Sequence, residues 1–209
     1  MSSSLILAAV LGTLLIGAMS PGPSFILISC IALESSRRSA LAAALGMGLG
    51  ATLFAALALL GLTALLLSVE WLYGLLRIAG GLYLLYLGWR IWRGASRPLA
   101  IAGTAANTSM SLGRALWLGL LTQLSNPKTA VVYVSVFASL VPPSTPNWVL
   151  LVLPPLVMAL EAGWYAVIAL AFSAQRPQAL YLRAKGGIDR FTGAVLGLVG
   201  ARLLAESSR

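Results

Sequence analysis

Leu124-Ser125-Asn126-Pro127-Lys128-Thr129 sits in the middle of an apolar run from about Ala115 to Leu140. Proline removes a backbone donor and clashes with the preceding turn, and a lysine deep in hydrocarbon costs several kcal/mol on most scales. A helix crossing lipid has little reason to keep such a defect unless the defect is used. The surroundings say that lipid is the solvent. The chain has 209 residues, 59% hydrophobic and 9% charged, with a mean hydropathy of +0.94. Several apolar runs of about 20 residues match a hydrocarbon core about 30 Å thick. The sequence therefore predicts an all-α integral membrane protein, a single membrane domain over 1–209 with no separate soluble domain.

Six spans are expected. The first, Leu5 to about Leu33, would be roughly 43 Å long as one straight helix, too long for an upright span. It is interrupted by Ser20-Pro21-Gly22-Pro23-Ser24, which predicts two short arms meeting inside the membrane. After the charged loop Glu34-Ser35-Ser36-Arg37-Arg38 comes a second span, Ala40 to about Ser68. Its Gly46-Met47-Gly48-Leu49-Gly50 lacks the preceding strand and the following GK[ST] of a phosphate loop, so it reads as a flat face for close helix packing. A minimal turn at Val69-Glu70 leads to the third span, Trp71 to Trp92, with tryptophans suited to the two interfaces and Arg77 positioned to snorkel. A linker from about Arg93 to Ser111 follows, with its Ala/Ser/Thr/Gly-rich part, Ala100 to Ser111, expected to be mobile. The fourth span carries the Asn-Pro-Lys break, and an uncharged turn, Val141 to Asn147, precedes the fifth, Trp148 to about Phe172. Gln175 to Arg190 is expected to be a basic loop before a short last span, Phe191 to Leu204.

Loop charge gives the orientation. Arg37 and Arg38, then Arg90, Arg93, Arg97 and Arg114, then Arg176, Arg183, Lys185 and Arg190 follow or flank the ends of spans one, three and five, whereas the loops after spans two and four have no lysine or arginine. This alternation predicts a cytoplasmic linker and both termini on the outer, periplasmic side. It also accounts for the net charge of +9 without nucleic acid. Cys30 is the only cysteine and there is no histidine, so an intramolecular disulfide is impossible and a metal site or cofactor is not expected. No nucleophile–base pair is visible, so the chain does not read as an enzyme.

The two breaks align. Each lies in the first span of a three-span half, about 1–92 and about 112–209, and each is followed by an apolar run ending in serine. An odd number of spans per half requires opposite orientations, which is the inverted-repeat pattern of secondary transporters, with helices 1 and 4 broken near the midplane. Helical rise places Pro21 about 24 Å from the outer face and Lys128 about 20 Å from the inner one. Glu161, roughly 20 Å into the fifth span, lies close to Lys128 in height. Two readings of Glu161 stand: a static salt bridge to Lys128, or a proton-coupled site in which substrate or proton breaks that pair. A zwitterionic amino acid suits such a place, its carboxylate meeting helix N-termini or Lys128 and its ammonium meeting a carboxylate or freed carbonyls.

Together, Pro21-Gly22-Pro23, the third-span stretch LRIAGGLYLLYLGWRIWR and the fourth-span stretch GLLTQLSNPKTAVVYVSVFASLVP resemble the LysE/RhtB family of amino-acid exporters, over nearly the whole chain. The resemblance implies a bacterial inner-membrane exporter driven by the proton motive force, with six spans in two inverted repeats. It carries the family's motif onto Pro21, Gly22, Pro23, Asn126, Pro127 and Lys128; Gln123 and Glu161 complete the candidate site. Family members often have an acidic residue in the second span, and Gly46 to Leu67 has none. That favours a neutral substrate such as threonine, homoserine or leucine. The alternatives are export of another small metabolite, or a non-transporting membrane assembly protein. Gly193-Ala194-Val195-Leu196-Gly197 could pack within the bundle or across a homodimer.

Overall fold

The computed structural model describes residues 2–68, 70–96, 110–142, 144–173 and 175–207, with side chains described except at 62–77, 175–179, 203 and 206–207. Among them are eight helices and no strand: α1 (Ser3–Met19), α2 (Pro23–Glu34), α3 (Arg37–Ser68), α4 (Glu70–Gly94), α5 (Leu112–Leu124), α6 (Pro127–Leu140), α7 (Asn147–Phe172) and α8 (Gln175–Ser207). Both breaks anticipated from proline are present. Ser20 takes an extended ψ of 126°, the conformation that a following proline imposes, and α1 ends there. Pro23 then opens α2 at its first helical position, where its missing N–H costs nothing. The two arms are bent by 59°. At the second break Pro127 likewise opens α6, capped by the Asn126 side chain, which accepts from Lys128 N at 3.1 Å.

Two expectations need correction. The charged loop after α2 shrinks to Ser35 and Ser36, because Arg37 and Arg38 already belong to the first turn of α3. Residues 175–190 are not a loop: they are the first half of α8. Pro177 lies in the first turn, where a helix tolerates it, and the strong helix formers that follow need no break. Arg97 and most of the expected mobile linker, Val69 and Pro143 lie outside the described residues, as do the side chains of Arg77 and Arg176.

Glycines set the spacing of the long helices. A Cβ on Gly46 would collide with the α5 backbone at Leu116, and one on Gly50 would come within 2.9 Å of the Gln123 side chain. On the other flank of α3, a Cβ on Gly48 would fall 2.8 Å from Ala162 of α7. The packing reading of this glycine cluster therefore holds, and it brings α5 and α7 against the same helix. A second seam joins α4 to α8, where Gly88 meets the backbone of Gly193 and Gly197, and Gly81 that of Gly200. Gly193 and Gly197 are thus used inside the bundle.

Two apolar clusters lie around the polar centre. One combines Val10 and Leu14 of α1 with Ala55, Phe137 and Leu153, and the other combines Phe25, Met47, Tyr165 and Phe172. The outer surface is also apolar: Leu151 is 76% exposed, Leu198 71% and Leu180 70%. Water would penalise such a belt, whereas lipid solvates it. α3 over Arg37–Gly61 and α7 are each long and apolar enough to cross a bilayer, and α1 with α2, taken as one bent pair, is long and apolar enough to be a third candidate span.

Candidate functional site

The end of α1 poses a chemical problem. A helix leaves its last carbonyls without intrahelical partners, and a buried end must find donors elsewhere. Here side chains from three other helices supply them. Thr192 Oγ1 donates to Ile16 O (3.2 Å), Lys128 Nζ to Gly17 O (3.0 Å), Trp164 Nε1 to Ala18 O (3.1 Å) and Tyr181 OH to Met19 O (3.0 Å). Lys128 Nζ also donates to Ser20 O at 3.0 Å. A cation at the negative end of the helix dipole is the favourable arrangement.

Behind Lys128 lies a second network. Ser24, at the start of α2, donates to Gln123 Oε1 at 2.7 Å and accepts from Asn126 Nδ2 at 3.1 Å. Gln123 Nε2 donates in turn to Glu161 Oε2 at 3.5 Å, and Tyr133 OH to Glu161 Oε1 at 3.0 Å. Ser24, Gln123, Asn126, Tyr133 and Glu161 are all buried. The salt bridge between Glu161 and Lys128 is not formed. Similar depth fixes height in a bundle but not direction, and Lys128 turns to the α1 carbonyls while Glu161 takes neutral donors.

All eight residues singled out in the sequence line two adjoining cavities. The smaller, about 30 Å³, is walled by Gln123, Glu161 and Tyr133. The larger, about 340 Å³, is walled by Pro21, Pro23 and Pro127 together with Lys185 and Asp189 of α8. Ser20, Gly22, Asn126 and Lys128 border both. Among the described residues no cluster of His, Cys, Asp or Glu could hold a metal.

Residues 15–207 match the family model described as LysE type translocator. This chain belongs to that family. It is 33% identical to the threonine efflux protein of Escherichia coli (strain K12) over 91% of its own length and 93% of the relative's. It is 30% identical to an uncharacterized membrane protein of the same organism over 93% of this chain and 87% of that one. A leucine efflux protein of Enterobacter sp. (strain 638) is 33% identical over 61% of this chain and 59% of its own. No solved structure matches. With its apolar belt, this member of the LysE type translocators is a multi-pass membrane protein.

Sequence reasoning missed Ser20, Ser24, Tyr133, Lys185 and Asp189. Serine and tyrosine raise no alarm within an apolar run. Lys185 and Asp189, spaced i, i+4, did carry a signal: a pair that can neutralise itself on one helix face need not sit in a loop.

Proposed function

We propose that this protein is an inner-membrane secondary transporter that exports a neutral amino acid of the threonine, homoserine or leucine class, driven by the proton motive force. The observation that carries the reading is the meeting of two helix breaks at one buried polar centre, with Lys128 on the carbonyl end of α1 and Glu161 two hydrogen bonds away from Ser24. The likeness to threonine and leucine efflux proteins supports the substrate class.

A zwitterion has two ends to satisfy. The N-terminus of α2 has no side-chain cap and turns its first amides toward the break, which suits a carboxylate. The carbonyls of Gly17 and Ser20, and the Glu161 carboxylate, suit an ammonium. Lys128 occupies that ammonium position in this state, so substrate would compete with it, and proton transfer on Glu161 would be the coupled event. Six crossings in two inverted halves follow from taking α1 with α2, and α5 with α6, as single broken spans. Contacts between corresponding elements, α3 with α7 and α4 with α8, support that arrangement. Loop charge favours a cytoplasmic linker and outer termini.

Proteoliposomes loaded with labelled L-threonine or L-leucine, with and without an imposed proton gradient, test the proposal. Gradient-stimulated flux of one of them is expected. Absence of flux for both, with protein shown to be folded, would overturn it.

A further inference from the structure

The larger cavity also holds an ion pair on α8, outside the two breaks. Lys185 Nζ and Asp189 Oδ2, one turn apart on α8, are 2.7 Å from each other. Ser20 Oγ donates to the other carboxylate oxygen at 3.3 Å, while the carbonyl of the same Ser20 holds Lys128. Asp189 is 4% exposed and Lys185 7%, yet both line the 340 Å³ space, as does the exposed Arg90. A buried ion pair adds little to stability compared with apolar residues of similar size, so a bundle gains little by keeping one for strength alone.

Size separates the two cavities. About 30 Å³ accommodates little more than a water molecule, whereas about 340 Å³ falls in the range of small-molecule sites. In this conformation a free amino acid fits beside Asp189 and not beside Glu161.

We propose that this cavity is a loading site for the zwitterion, separate from the Glu161 pocket. Asp189 takes the substrate ammonium, Arg90 and Lys128 draw the carboxylate, and Lys185 is a tethered stand-in that occupies Asp189 when substrate is absent. Beyond the two breaks, the cavity is walled by the C-terminal half of α4 and the first half of α8, and in this proposal loading takes place from the one face where those segments lie. Ser20 links the event to the break: an ammonium arriving at Asp189 disturbs the hydroxyl of the residue whose carbonyl holds Lys128. The inference rests on the transport reading above and adds the place and the residues of first recognition.

The stand-in role gives the two members of the pair opposite signs. Concentration dependence of L-threonine transport is measured from each face, in right-side-out and inverted membrane vesicles, for the wild type, Asp189→Asn and Lys185→Met. Asp189→Asn is expected to raise KM about tenfold on one face only, the effect of losing one hydrogen bond to a charge. Lys185→Met is expected to lower KM on that same face, because the competitor is gone. If Asp189→Asn does not fold, the fall in KM for Lys185→Met decides. Equal impairment of both variants, or unchanged KM on both faces with wild-type flux intact, overturns the loading site and makes the pair a structural clamp. Absence of wild-type flux for threonine and leucine overturns the transport reading and the loading site with it.

Discussion

The two helix breaks are alike in sequence and opposite in chemistry. The second is self-sufficient: Asn126 caps Lys128 N, Ser125 N returns to Leu121 O, and Asn126 N to Gln123 O. The first makes no such provision. Pro21 and Pro23 have no N–H to give, Gly22 has no side chain, and the carbonyls from Ile16 to Ser20 are served by Thr192, Lys128, Trp164 and Tyr181. One break is therefore a donor with a stable backbone, the other a receiver whose geometry is set by its neighbours. A repeated motif need not mean a repeated role. The receiving break is the one that a competing cation or a shifted helix can change.

That asymmetry can be broken from either side. The largest effect on stability is expected for Lys128→Met, which leaves Gly17 O and Ser20 O bare in a buried place, at about 1–3 kcal/mol for each carbonyl. Unfolding in detergent measures it. Asn126→Ala removes a cap from the self-sufficient break and a partner from Ser24, and should cost about 1–2 kcal/mol in the same assay. The smallest effect is expected at Gly22. Its φ of −143° and ψ of −169° are extended backbone open to any residue, and an added Cβ would lie 3.7 Å from Lys128 Cδ, an ordinary contact. Gly22→Ala should stay within about 0.5 kcal/mol of wild type. A large loss there would mean that the first break is rigid in its own right, contrary to the comparison.

Proline made the breaks legible in the sequence, because its missing donor and fixed φ act locally whatever the tertiary context. The packing glycines around Gly46 were legible for a similar reason: small residues at helical spacing matter only where another helix approaches. The partner of Glu161 was not legible. Helical rise gives depth along an axis, but which way a side chain turns depends on how α6 and α7 are rotated, and Tyr133 and Gln123 lie on the side that won. The helical state of residues 175–190 is hidden in the sequence because charge usually marks solvent, whereas Lys185 and Asp189 neutralise each other within the bundle. The all-helical class and the family followed from the chain itself; the direction of each polar side chain needed three dimensions.

The central claim is that Lys128, fixed by the second break and seated on the carbonyls of the first, lies on the transport path. The most direct test compares initial rates of L-threonine efflux from proteoliposomes holding equal amounts of folded wild-type and Lys128→Met protein. Losing a charged hydrogen-bonding group that borders both cavities should lower the rate about a hundredfold. Equal rates in the two preparations would contradict the account and leave Lys128 as a structural cap for α1.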